Sequence, residues 1–231
     1  QRLRREIYIW KRLVHPNVHQ LCGLYETLGP LPALVSEWHE RGDIKQYLDT
    51  WTRLLTPVQI LDVAQGLEYC ESILHGREIV HGDIKGANVL ISNDGVARLS
   101  DFGFSVLLAN YSQSLTQTSN IHGTYRWMAP ELVLEEGARH SYASDIWAFG
   151  CLIIEVYSGQ VPYHTRRNHL QVVTALARSE PPPLPSALPA FLMAIVLECC
   201  TFVVEERPAA SYIVACIPPK AVLSRISFMV R

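Results

Sequence analysis

Between Ile79 and Phe104 the apolar residues come only in short pieces, Ile79-Val80, Val89-Leu90-Ile91 and Ala97-Arg98-Leu99, each broken by a polar loop or by Asn93-Asp94-Gly95. Pieces this short cannot build a helix or a broad sheet. They read as small hairpins whose purpose is to hold loops. The loop His81-Gly82-Asp83-Ile84-Lys85-Gly86-Ala87-Asn88 places a carboxylate, a lysine two residues on and an amide five residues on in one stretch. Taken alone, such a loop is most often a polar surface loop. Its context is what gives it meaning.

That context is ordered. Thirteen residues after Asn88 comes Asp101-Phe102-Gly103, and then residues Ala109 to Asn120, rich in Ser, Thr, Gln and Asn and without any period. Composition predicts a mobile segment there. Gly123-Thr124-Tyr125-Arg126-Trp127-Met128-Ala129-Pro130-Glu131 follows, and later Asp145-Ile146-Trp147-Ala148-Phe149-Gly150. This order and spacing resemble the motif set of the eukaryotic protein kinase catalytic domain, most of all the tyrosine-kinase-like group of serine/threonine kinases. The resemblance runs from Arg2 to about Cys216. It implies an α+β, bilobal fold with residues 1–37 as part of an N-lobe, residues 38–216 as hinge and mostly helical C-lobe, and residues 217–231 as an unassigned tail.

Periodicity outside the motifs agrees with a helix-rich chain. Leu3, Ile7, Trp10 and Leu13 share one helical face, ended by His15-Pro16-Asn17. Val18 to Tyr25 and Ala33 to Glu37 read as strands. Asp43 can cap a short helix through Tyr47, and Thr56-Pro57 starts a longer one with Val58, Leu61, Val63, Ala64 and Leu67 on its apolar face. Further helices are predicted at Ser144 to Tyr157, Asn168 to Ala177, Ala190 to Cys200 and Ala209 to Cys216.

The resemblance assigns roles residue by residue. Asp83 would accept the proton of the attacked hydroxyl, Lys85 would sit by the γ-phosphate of ATP, and Thr124 would hydrogen-bond toward both. Asn88 and Asp101 would supply oxygen ligands to Mg²⁺, which suits a hard cation shared with nucleotide phosphates. Ser36, Glu37 and His39 would form the hinge around adenine, Ser36 by its side chain and Glu37 and His39 by backbone groups. Leu90 would cover the adenine face. Asp43 falls where a ribose-contacting acid often lies, and its reading as a helix cap stands beside that one. Glu6 matches the glutamate that pairs with the ATP-positioning lysine. Only five residues precede it, so the glycine-rich loop and the lysine strand fall outside this sequence, and a chain of these residues alone is expected to be inactive and to associate through a bare sheet edge. Glu131 and Arg207 resemble a buried ion pair, and Asp145 the helix carboxylate that receives N–H groups from the loop. His81 and Phe102 are expected to be packed spine residues. Gly82 stands where many kinases carry an arginine that reads an activation-segment phosphate. Phosphates on Ser112, Ser114, Thr116, Thr118 or Ser119 would lack that partner.

Composition excludes several other classes. The 20 basic and 22 acidic residues give −2, with no basic block to recommend nucleic acid or an anionic membrane. The apolar run Ala190 to Val204 falls short of the roughly 20 residues of a membrane span. Six cysteines without C-x-x-C spacing read as reduced, buried thiols, and the N-terminus shows no signal peptide, which points to the cytoplasm. The expected function is transfer of the γ-phosphoryl of MgATP to Ser/Thr hydroxyls of a protein substrate. A kinase-like scaffold without turnover is the alternative, and a small-molecule kinase is disfavoured by the 123–131 segment and Arg207.

Overall fold

The structure, a computed structural model, describes residues 7–25, 33–51, 57–72, 79–102, 106–107 and 124–223. Glu6, Leu3, segment 109–120, for which composition predicts mobility, with its Ser and Thr residues, and Gly103 lie outside them. Three two-stranded antiparallel sheets are present among these residues: β1 (Leu21–Tyr25) with β2 (Ala33–Ser36), β3 (Ile79–Val80) with β6 (Val106–Leu107), and β4 (Val89–Ile91) with β5 (Ala97–Leu99). The helices are α1 (Ile44–Thr50), α2 (Pro57–Ser72), α3 (Pro130–Leu134), α4 (Tyr142–Ser158), α5 (His169–Ala177), α6 (Ala190–Cys199) and α7 (Ala210–Cys216).

The hub is α4. Ser141 caps it and forms a reciprocal capping box with Ser144, satisfying donors that the first turn would otherwise leave bare. From Ser144 to Ile154 every residue is buried, Trp147, Phe149 and Leu152 completely, so this helix is covered on all sides and lies inside the domain. Truncating Trp147 to alanine there would cost about 3–5 kcal/mol. Close contact with α6 fixes Gly150, where a Cβ would stand 2.7 Å from Cys200 Sγ and 2.9 Å from Cys199 Cβ.

Helix α2 carries the hairpins. Its predicted face is buried at Leu61, Val63, Ala64 and Leu67, whereas Val58 sits at the margin and Gln59, Ile60 and Asp62 are buried as well. The reason is docking of the β4–β5 hairpin through polar side chains. Gln59 Nε2 donates to Gly95 O (3.1 Å), and the Ala97 N–H donates to Asp62 Oδ2 (3.0 Å). The N-terminal elements reach the same hairpin: His19 N–H donates to Leu99 O (2.8 Å) and Leu99 N–H to Asn17 O (2.9 Å). Val18 and His19 are therefore committed to β5, and strand β1 begins at Leu21 rather than at Val18.

Other boundaries shift for equally local reasons. Near the N-terminus residues 7–10 are helical, with Ile9, Trp10 and Leu13 buried and Ile7 only half-buried. Helix α1 runs past Tyr47 to Thr50, capped by Asp43. Helix α3, five residues started by Pro130, is too short to show a period. All six cysteines are free, but only Cys70, Cys151, Cys199 and Cys200 are buried; Cys22 and Cys216 are exposed. Residues 217–223 pack on the domain through Ile217 and Leu223, and Lys220 pairs with the buried Asp62.

Candidate active site

Two backbone N–H groups and one carboxylate shape the loop that follows β3. His81 N–H donates to Asp145 Oδ2 (2.7 Å) and Gly82 N–H to Asp145 Oδ1 (2.9 Å). To present both amides to one carboxylate the chain adopts φ +80° at Gly82, a conformation natural to glycine. Burial pushes the Asp145 carboxyl up to about 7, against those two hydrogen bonds, which favour its charged form. His81 is fully buried against Phe102, ring centroids 4.8 Å apart. Its Nε2 lies 3.0 Å from Ser100 O and its Nδ1 accepts the Asp83 N–H (3.3 Å), a pattern that requires the Nε2–H tautomer. Burial lowers its pKa, so the ring is neutral.

Asp83 stands at the centre. Its Oδ2 accepts from Lys85 Nζ (2.7 Å) and from Asn88 Nδ2 (2.8 Å), while its Oδ1 is buried and has no hydrogen-bond partner among the described residues. An unpaired buried carboxylate oxygen is costly unless a ligand supplies the missing donor. Lys85 Nζ also donates to Thr124 Oγ1 (3.0 Å), so one ammonium ties the loop to the start of the 124–131 segment. Asn88 Nδ2 donates a further bond to Asp83 O (2.8 Å). With the amide nitrogen committed to Asp83, its oxygen is the atom left for a cation. Asp101 is exposed and takes φ +58°, an uncommon conformation for a residue with a Cβ and one that concentrates at functional sites. Among the described residues no group of three or more His, Cys, Asp or Glu could hold a metal by itself. Two oxygen-bearing side chains without a full cage suit a metal that arrives with phosphates.

The nucleotide-side residues are arranged more loosely. Ser36 pairs with Leu21 at the end of the β1–β2 ladder. Glu37 is exposed and bonds Arg98 (2.9 Å). Trp38 is 83% exposed, whereas His39 is buried, its ring 5.0 Å from that of His19, neither nitrogen hydrogen-bonded among the described residues and Nε2 4.0 Å from Glu37 Oε2. Burial lowers both histidines, His19 to about 4, so this pair is neutral. The His39 carbonyl accepts the Gly42 N–H (3.0 Å). Asp43 Oδ1 accepts the Gln46 N–H (2.9 Å) as a helix cap, and the Asp43 backbone bridges Leu90, so these two predicted site residues lie side by side.

Glu155 was not among the predicted site residues. From α4 it accepts the Gly86 N–H (2.9 Å) and Trp127 Nε1–H (2.9 Å), clamping the Asp83 loop to the 124–131 segment. A Cβ on Gly86 would come within 2.9 Å of Glu155 Oε1. Burial raises the Glu155 pKa, and the two donors oppose that. The signal was present in the sequence as a lone carboxylate inside the apolar run Ile146 to Tyr157. Farther out, Arg207 donates to both oxygens of Glu131 (2.7 Å each), to Ala143 O (2.9 Å) and to Thr201 O (3.0 Å). The ion pair expected between the two forms, with the Arg207 side chain fully buried.

The comparisons with known proteins decide the family. The chain matches the protein tyrosine and serine/threonine kinase family over residues 1–217. It belongs to that family. It is 34% identical over 215 residues to mitogen-activated protein kinase kinase kinase ANP1 of Arabidopsis thaliana, covering 91% of this chain and 31% of that protein. Mitogen-activated protein kinase kinase kinase 3 of the same plant is 35% identical, covering 80% of the chain and 28% of its own length. The serine/threonine-protein kinase RUNKEL, also from Arabidopsis thaliana, is 36% identical over 78% of the chain and 13% of its length. This kinase-family chain thus spans about a third or less of the curated relatives it matches. No helix among its described residues is long and apolar enough to cross a membrane.

Proposed function

We propose that the protein containing this chain is a serine/threonine kinase that moves the γ-phosphoryl of MgATP onto hydroxyls of a protein substrate. The observation that carries this reading is Asp83: buried, fixed on one oxygen by Lys85 and Asn88, and unpaired on the other among the described residues. An incoming hydroxyl donates its proton to Asp83 Oδ1 as its oxygen bonds the γ-phosphorus. The bond from that phosphorus to the bridging oxygen breaks, and ADP leaves with the electron pair. Lys85 neutralises charge on the group in transfer while holding Thr124 in place. Asn88 and Asp101 would hold Mg²⁺, which supplies charge neutralisation at the phosphates when bound. Asp145 and Glu155 keep the loop in register without touching the reacting atoms. Ser36, Glu37, His39, Asp43 and Leu90 serve the nucleoside end, and Glu6 would pair with the lysine that positions ATP.

A lysine at position 85 and serine/threonine kinases among the named relatives favour Ser/Thr over Tyr acceptors. A scaffold without turnover is disfavoured because Asp83, Lys85, Asn88 and Asp101 are all present and Asp83 is bonded to both Lys85 and Asn88. Six free cysteines suit a reducing compartment, so we place the protein in the cytoplasm. The test is transfer of label from γ-labelled ATP to a mixed protein substrate by the full-length protein, followed by phosphoamino-acid analysis. Label on serine and threonine, with an Mg²⁺-dependent gain in ATP affinity that Asp101→Ala abolishes, is the expected result. Label on tyrosine alone, or a gain that survives the substitution, overturns the assignment.

A further inference from the structure

Loop 162–166 and helix α5 enclose an open groove of about 350 Å³ whose lining includes Arg166, Arg167, Leu170, Thr174, Arg178 and Glu180. Its charge is lopsided. Glu180 is occupied by Arg166, and among the described residues Arg167 and Arg178 have no carboxylate partner. Both are exposed, and Leu170 between them is 72% exposed. Two free guanidiniums around one bare leucine form a surface that is cationic at its edges and apolar at its centre.

This groove is wired to the candidate active site. Thr124, bonded to Lys85, is followed by Tyr125, whose ring meets His169 of α5 edge-on at 4.8 Å. Arg126 then donates to Pro162 O (3.1 Å), Tyr163 O (2.7 Å) and Arg166 O (2.8 Å). From the other side the Tyr163 hydroxyl donates to Glu180 O (2.9 Å), while its backbone is held at φ +55°. The groove wall is thereby pinned at both ends and formed before any partner arrives, which lowers the ordering cost of binding.

We propose that this groove docks an acidic segment of the protein substrate, one carrying Asp or Glu on either side of a single apolar side chain. The carboxylates pair with Arg167 and Arg178, and the apolar side chain covers Leu170. The acceptor hydroxyl lies elsewhere on the same substrate and reaches Asp83 past Thr124. The proposal rests on the protein-kinase reading for the identity of the partner, but its binding arm does not.

The test uses full-length, nucleotide-free protein and fluorescence anisotropy with a fluorescein-labelled peptide of Asp and Glu around one central Leu. Controls replace the acids by Lys, or the Leu by Ala. Binding of the acidic peptide that weakens with salt, and a loss of about tenfold or more in Arg167→Glu/Arg178→Glu, is expected. Leu170→Ala should lose several-fold. If the charge reversal disturbs folding by circular dichroism, Arg167→Gln/Arg178→Gln replaces it. Transfer to a short neutral acceptor peptide should be unchanged in these variants, while the same acceptor fused to the acidic segment should lose its lower KM. Equal binding of the lysine peptide, unchanged affinity in the double variant, or displacement of the peptide by RNA or phosphatidylserine vesicles that bind more tightly overturns the proposal. Failure of the kinase reading alone would show as no transfer to any acceptor with peptide binding intact.

Discussion

Removing Arg207 should reveal how much of the domain depends on one buried ion pair. The guanidinium is completely buried, makes two bonds to Glu131 and one each to Ala143 O and Thr201 O, and lies over the Trp147 ring with its carbon 5.2 Å from the centroid. Arg207→Ala leaves the Glu131 carboxylate largely buried and uncompensated, which costs about 3–5 kcal/mol. Against a typical total of about 5–15 kcal/mol this is a large share. With a urea m-value of about 3 kcal/mol/M for a domain of this size, the midpoint should fall by about 1–1.7 M. The partner experiment removes both charges. Glu131→Leu/Arg207→Met should recover much of the loss, because a buried pair replaced by apolar groups of similar volume is often nearly neutral. Equilibrium urea unfolding followed by tryptophan fluorescence reads both. A single variant within about 1 kcal/mol of wild type, or a double variant no better than the single one, would refute the reasoning.

Asp145 predicts a pH dependence. Its native pKa of about 7 is above its unfolded value, so the native state holds a proton that the unfolded state releases, and its contribution to stability falls as pH rises from about 4 to about 7. The stability of wild type relative to Asp145→Asn should therefore decline across that window and flatten above it; a flat difference from pH 4 to 8 argues against it. Gly86→Ala, by pressing on Glu155, should lower kcat about tenfold or more with little change in urea midpoint, and an unchanged kcat would show the clamp to be slack. Trp127→Phe removes the other donor to Glu155 and should cost about 1 kcal/mol in the same unfolding assay. Since Gly82 replaces the arginine that would read a phosphate, alanines together at Ser112, Ser114, Thr116, Thr118 and Ser119 should leave basal transfer within a few-fold; near-complete loss would mean another cation reads a phosphate there.

What was legible in the sequence was local. The Asp83-to-Asn88 loop closes on itself within six residues, so spacing alone brings carboxylate, ammonium and amide together. Helix α4 was visible because its apolar run is long, although its start at Tyr142, behind the Ser141 cap, precedes the predicted Ser144. What depended on distant neighbours was not visible. Gln59 and Asp62 look solvent-facing until the β4–β5 hairpin, 36 and 35 residues on, claims them. Glu155 gains its meaning from Gly86 and Trp127, 69 and 28 residues away. The His19–His39 contact joins two segments on either side of β1 and β2, and nothing in either segment announces it. The Arg167–Leu170–Arg178 groove is similar, since each residue alone reads as an ordinary surface side chain.

Turnover of Asp83→Asn tests the central claim most directly. The substitution keeps the side chain's size and its oxygen toward Lys85, but it removes the proton acceptor. In the full-length protein, kcat for transfer from MgATP to a protein acceptor should fall by at least about 10²-fold, since general-base catalysis contributes about 10²–10⁴. ATP affinity, measured by equilibrium titration of the same preparation, should stay within a few-fold of wild type. A variant that turns over near the wild-type rate would contradict the assignment of Asp83 as the base, and with it the reading of this site.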